Sequence, residues 1–374
     1  MKKAHFLLAI LIPVVLTACR SEIQDETEQN KEGVIIKEKP NGTFVILGSK
    51  QFHDYDQLYV MTISASGDFL AGYRFGAIGN ELPNNLHENY NGDYGVLTTT
   101  FSKDHQSSNI RYINCTTDGE PSDQSNITAD FISPKKHFFA QDFVRNNNNT
   151  YTICGYAGRE GEAITFVARI HENGTVYWRE TYGVSAINKA FSICTTEDGE
   201  NVLGGCLSGQ YPYLRKIDRL GNELWGITFP GYEKACFVGV ETTHDQGILA
   251  GGNYLDGHYS SFLVRTTASG DSLWSKNLDG RLLANNSFHV LSDGSLIIGL
   301  NKENGYVLIK TDQLGNELWT SEIQSSEGIH INAIQPTLDH GFVLTGRINN
   351  SKGVSYIYVS KFNQNGEQVW KTGL

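Results

Sequence analysis

Apolar residues run through this chain in short stretches, each closed by a turn of Gly, Asp or Asn, and helical spacing is nowhere sustained. One pattern recurs almost unchanged. It reads Asp198-Gly-Glu-Asn-Val-Leu-Gly-Gly205, Asp245-Gln-Gly-Ile-Leu-Ala-Gly-Gly252, Asp293-Gly-Ser-Leu-Ile-Ile-Gly299 and Asp339-His-Gly-Phe-Val-Leu-Thr-Gly346. Asn41 to Gly48 and Asn148 to Gly155 fit it, and Asp93 to Thr100 fits it poorly. In step with it runs a Gly-x-x-x-Trp frame that holds all five tryptophans, Trp178, Trp225, Trp274, Trp319 and Trp370, spaced by 47, 49, 45 and 51 residues. The turn glycines of that frame are Gly174, Gly221, Gly270, Gly315 and Gly366, and Gly67 and Gly119 extend the series to seven.

Each unit therefore holds four short β segments. In residues 190–229, strand A is predicted at 191–195, before the Asp-Gly turn, strand B at 201–206, strand C at 213–218 and strand D at 223–229. Four-stranded units repeating at about 40–50 residues are the mark of β-propeller blades. The expectation is an all-β chain, a seven-bladed propeller of four-stranded antiparallel blades over residues 33–374. The tryptophans are expected to pin neighbouring blades. Blades one and two lack the indole and have the longest connections, 73–91 and 121–140, and Gly79-Asn80-Glu81-Leu82 reads as a loop copy of the repeat because Pro83 follows. Five residues before each turn glycine stand Thr62, Asn114, Arg169, Lys216, Arg265, Lys310 and Lys361. One such residue per blade is read as structural, with an apolar stem and a paired head.

The first 18 residues are not read as fold. Lys2 and Lys3 precede a short apolar stretch, and Leu16-Thr17-Ala18-Cys19 closes it. This resembles the bacterial lipobox, which implies lipidation of Cys19 and removal of the leader. Residues 19–32 are polar and acidic, a flexible tether resembling the surface-export signal of Bacteroidota lipoproteins. The blade repeat itself resembles those of quinoprotein-like and Bacteroidota lipoprotein propellers, most closely at residues 190–230 and 285–320. The resemblance implies a lipid-anchored protein of the bacterial outer membrane, facing the cell surface, with the periplasmic side as the alternative. It specifies fold far more than function. The sialidase Asp-box does not match, since Asp218-Arg-Leu-Gly221-Asn-Glu-Leu-Trp225 carries an extra residue in each gap.

Composition narrows the function classes. A net charge of −11 argues against nucleic-acid binding through a general field. Beyond Cys19 five cysteines remain, an odd number, and no Cys-x-x-Cys occurs, so no metal and no cofactor is expected. Cys194 and Cys206 flank a hairpin and are candidates to face each other across it, with lone buried thiols as the favoured reading. No catalytic spacing of the His-Glu-x-x-His or Gly-x-Ser-x-Gly kind occurs.

Candidate ligand residues lie where B–C and D–A connections converge. Lys189 and Lys234 stand before strand A in adjacent blades, with Lys135 and Lys136 one blade earlier, and are placed to ring the channel mouth. Tyr55 and His53, beside Phe52, and Tyr254 and His258, beside Asp256, Tyr259 and Tyr211, offer the aromatic and polar groups that a carbohydrate requires. The reading favoured is a monomeric binding or scaffold module with a glycan or protein partner. The alternative is a polysaccharide hydrolase or lyase with its acids on the variable loops.

Overall fold

The computed structural model describes residues 30–374 apart from 53, 77–78, 129–136, 147, 160–161, 184–186, 256–259 and 283–285. The leader, Cys19 and most of the tether lie outside the described residues. Among those described, 28 strands form seven successive antiparallel four-stranded meanders at 31–75, 81–126, 137–182, 189–228, 235–279, 288–324 and 330–373. Every strand of a meander pairs with its sequence neighbour. Blades two and three also share one parallel bridge, Ser108 with His137.

The innermost strand of each blade, strand A, is Lys31–Glu38, Glu81–Glu88, His137–Arg145, Lys189–Thr195, Ala235–Thr242, Phe288–Val290 or His330–Pro336. Each A strand packs against the next, and the last packs against the first, so the seven sheets close into a propeller around a central channel. Closure uses side chains rather than a shared strand. Ile36 and Phe44 of blade one form one buried cluster with Val343, Ile357 and Val359 of blade seven. Buried clusters likewise span blades four and five, and six and seven. The apolar runs of strands B and C supply these residues, because a strand packed on both faces reads as continuously apolar.

In the fourth blade the observed strands begin or end within two residues of the predicted ones. All seven turn glycines have φ between 75° and 93°, the left-handed region that disfavours any Cβ. Each tryptophan lies against the next blade's turn glycine. A methyl group on Gly221 would come within 3.0 Å of Trp178, one on Gly315 within 3.2 Å of Trp274, and one on Gly67 within 3.0 Å of Trp370. The indoles are half-buried, with Trp178 Nε1 donating to the Arg219 carbonyl of the next blade at 3.1 Å. Where the indole is missing, Val60 and Tyr73 cover Gly119, and Ser125 and Tyr112 cover Gly174.

The basic row on strand C sits beside the tryptophans in register: Lys216 opposite Trp225, Arg265 opposite Trp274, Lys361 opposite Trp370. Its heads reach the Asp of the same blade's A–B turn. Lys216 lies 2.8 Å from Asp198, Lys361 lies 2.7 Å from Asp339, and Arg265 pairs with Asp245.

Two expectations are corrected. The segment 79–82 is not a loop: Glu81, Leu82 and Pro83 begin the inner strand of blade two, and Glu81 is buried against Arg111 at 2.7 Å. Pro83 is tolerated because the A strand faces the channel on its unpaired side. Cys194 does not face Cys206. It opposes Val202, while Cys206 is disulfide-bonded to Cys236 of the next blade, with Cα atoms 4.8 Å apart. Cys115, Cys154 and Cys194 are free and buried, and burial raises each thiol above its usual range.

Candidate functional site: the polar funnel of the central channel

Six of the seven A strands carry a β-bulge. The extra residue is Val34, Asn84, Gln141, Phe191, Val238 or Asn332. Opposite the residue before the bulge, strand B carries Gly48, Gly155, Gly205, Gly252 or Gly346 in five blades. The reason is steric: a Cβ at Gly48, Gly155, Gly205 or Gly346 would run into a strand-A carbonyl oxygen just upstream of the bulge. Blade two has Thr98 there, and its hydroxyl donates to the corresponding carbonyl, that of Leu82, at 2.9 Å. In five blades the Gly that ends the apolar run is therefore the partner of a bulge.

A bulge re-aims a side chain. Five of the six extra residues, Val34, Asn84, Gln141, Val238 and Asn332, line a single cavity of about 610 Å³ at the end of the channel where the A strands begin. Glu32, Asp56, Glu81, Asn253, Arg281 and His330 complete its polar wall. Two of its three carboxylates accept hydrogen bonds from side chains. Glu81 accepts from Arg111 and from the hydroxyls of Thr98 and Thr100 at 2.7, 3.1 and 2.7 Å. Glu32 accepts from Asn332 Nδ2 at 2.6 Å. His330 is held below its usual pKa by burial first and then by Arg347 and Arg281. That favours the neutral ring, which both donates and accepts.

Among the described residues, one buried group in this wall has no partner. Asn253 is 5% exposed, its Nδ2 donates to the Leu282 carbonyl at 2.5 Å, and its Oδ1 is buried with no donor. A buried acceptor left unmade costs about 1–3 kcal/mol. The funnel thus offers amides, a neutral imidazole, an exposed guanidinium and an unmet acceptor, alongside the apolar Val34, Leu82, Val238 and Leu282.

No family model matches the chain, and no curated protein matches it. Solved structures do. A protein of unknown function from Dyadobacter fermentans aligns with TM-score 0.57 at 10% identity, over 90% of this chain and 95% of that one. A mutant of puromycin hydrolase complexed with PGG aligns with TM-score 0.57 at 12% identity, over 91% of this chain and 54% of that one. The β-propeller domain of the Trilobed protease from Pyrococcus furiosus aligns with TM-score 0.49 at 11% identity, over 91% of this chain and 95% of that one. The chain spans about half the length of the hydrolase. At these identities the likeness is one of fold.

Of the ligand candidates singled out from sequence, the described ones do not line the funnel. Lys189 is half-buried, its ammonium 4.6 Å from the centre of the Tyr156 ring. Lys234 is exposed, with φ 53°. Among the described residues neither lines the funnel. Tyr254 packs on Phe262 at 5.2 Å and Tyr232 at 6.5 Å, inside the cluster between blades four and five. Tyr55 begins strand C of blade one, half-buried. His53, His258, Lys135 and Lys136 lie outside the described residues. Sequence reasoning weighed loops and passed over strand A. The signal that would have found the funnel was present in the Gly near the end of strand B in five blades, which marks where strand A bulges into the channel. Among the described residues no group of three or more His, Cys, Asp or Glu side chains is placed to hold a metal ion.

Proposed function

We propose that this chain is a lipid-anchored ligand-binding propeller of the bacterial outer membrane, taking a polyhydroxylated ligand, a glycan, in the funnel of its central channel. The observation that carries this reading is the unmet Asn253 Oδ1 in a wall of amides. A sugar hydroxyl both donates and accepts, so it fills that acceptor and uses the neighbouring Asn84, Gln141 and Asn332 side chains as well. A wall that carries charges of both signs, Glu32, Asp56 and Glu81 with Arg281, favours an uncharged polar ligand over a strongly charged one. The repeat glycines support the reading too, because they maintain bulges that place these side chains in the channel.

The anchor rests on Leu16-Thr17-Ala18-Cys19. Metabolic labelling with a fatty-acid analogue should mark the wild type and leave Cys19→Ser unmarked and released from the outer-membrane fraction. Labelling of Cys19→Ser would refute it. A glycan array tests the ligand. Binding that is lost in Arg281→Ala, an exposed funnel residue, supports the reading. A blank array for the wild type overturns it, as does unchanged binding by the variant.

A further inference from the structure

Beside the funnel, toward the A–B turns, the inner strands enclose a second cavity of about 260 Å³. Most polar groups in its wall already have partners, and the bonds run from blade to blade. Asp142 accepts from Asn85 Nδ2 at 2.5 Å, from the Ser192 hydroxyl at 2.9 Å and from the N–H groups of Phe143 and Ile193 at 2.8 and 3.1 Å. Glu241 accepts from the Val290 N–H at 2.7 Å and lies 2.7 Å from His289 Nδ1. His289 Nε2 lies 2.7 Å from the Ile334 carbonyl. Both ring nitrogens face acceptors. Lys37 stands in the same wall as these two carboxyl groups, and burial pushes Asp142 above the usual carboxyl range.

What remains over is donor capacity. The Lys37 ammonium has three N–H groups, and among the described residues its hydrogen-bond acceptor is Gln335 Oε1, at 2.8 Å. Asn286 Nδ2 is buried and, among the described residues, has no partner. His87, on the same wall, is driven down to about 3 by burial and then by Lys37, and is neutral. Burial lowers Lys37 as well, with Glu241 and Asp142 opposing that effect. A further anion beside Lys37 relieves it.

We infer that this cavity binds a compact, singly charged carboxylate between the Lys37 ammonium and the Asn286 amide. One charge suits the wall better than two, because Asp142 and Glu241 repel the second. The volume admits a ligand of a few heavy atoms with water. The inference stands apart from the glycan reading of the funnel.

Equilibrium dialysis of radiolabelled acetate against the full chain in detergent tests it. One saturable acetate per chain is expected, displaced by formate and far less by sulfate. Asn286→Asp keeps the side-chain shape and tolerates the observed φ of 58° while replacing the donor with a carboxylate. It should bind acetate at least about tenfold more weakly, the factor that a charge-assisted bond of about 1.5 kcal/mol supplies. Lys37→Met should lose binding as well, and should that variant fail to fold, Asn286→Asp decides. The funnel variant Arg281→Ala should keep acetate binding, which separates this site from the funnel. Absence of saturable binding, unchanged affinity in Asn286→Asp, or displacement by sulfate as effective as by formate would overturn the inference.

Discussion

The two ends of the propeller follow opposite rules. At the end of the A–B and C–D turns, blades repeat one another: a left-handed glycine, an indole laid on it from the preceding blade, and an Asp of the turn holding a cation of strand C. Leu220, Leu314 and Leu338 stand exposed there, as do the residues just before the tryptophans, among them Leu273 and Leu318. At the channel end where the A strands begin, the bulges repeat but their side chains do not, running Val34, Asn84, Gln141, Phe191, Val238 and Asn332. Repetition there is confined to backbone geometry. The difference teaches that the repeat specifies how blades stack, while side-chain variety, which the proposed ligand site would use, lies where a common backbone feature displays different residues.

The strongest way to probe the contrast is the interface between blades four and five, which is held at both ends. Cys206–Cys236 staples it near the channel end, and Trp225 covers Gly270 at the turn end. A bridge closing a loop of 30 residues contributes about 3–4 kcal/mol in the loop-entropy account. Cys206→Ser with Cys236→Ser should lower unfolding stability by that amount, measured by denaturant titration. Insensitivity of the wild type to reductant would show that the staple adds nothing.

Gly205→Ala should come next. Its Cβ meets the Lys189 carbonyl at the bulge, and overpacking of this kind costs up to about 3 kcal/mol. Stability unchanged within about 0.5 kcal/mol would mean that the bulge does not require its glycine.

Trp319→Ala should cost less. Full removal of a buried indole costs roughly 3–5 kcal/mol, and this ring is only half-buried, so about 2 kcal/mol is expected. A loss of similar size in Trp370→Ala would show the pins to be equivalent, and unequal losses would show that they are not.

Protonation supplies a graded test from inside the channel. His87 is held down to about 3, so its folded form resists a proton that the unfolded chain accepts near 6.5. Its contribution is complete above about pH 6.5 and lost progressively down to about pH 3, at up to about 1.4 kcal/mol per unit. In His87→Phe that slope should flatten by one proton between pH 6 and pH 4. An identical slope would place the acid sensitivity elsewhere.

How much of this was legible follows from where each residue sits. The strands and blade count could be read because turn glycines and paired apolar runs recur in every blade, and Trp178 to Trp370 keep the register visible. The basic row was legible for the same reason, since Lys216 and Lys361 each recur beside a turn Asp. Glu81 was misread because its surroundings imitate a turn, and only the closed ring shows that Glu81–Glu88 must supply an inner strand. The disulfide was hidden because Cys206 and Cys236 belong to different blades, while local hairpin spacing offered Cys194 as the candidate partner and lone thiols were favoured. The funnel was missed because its residues share a place and not a type: Asn84, Gln141 and Asn332 come from three distant segments, joined only when the ring closes.

The central claim is that recognition belongs to the channel end and not to the repeated rim. Calorimetric titration of one array-selected glycan into three proteins tests it most directly: the wild type, the funnel variant Arg281→Ala, and a rim variant with Leu273→Ser and Leu318→Ser. The account predicts that the rim variant binds as the wild type does, while the funnel variant loses at least about tenfold in affinity, or about 1.4 kcal/mol. Retained binding in the funnel variant together with loss in the rim variant would contradict it.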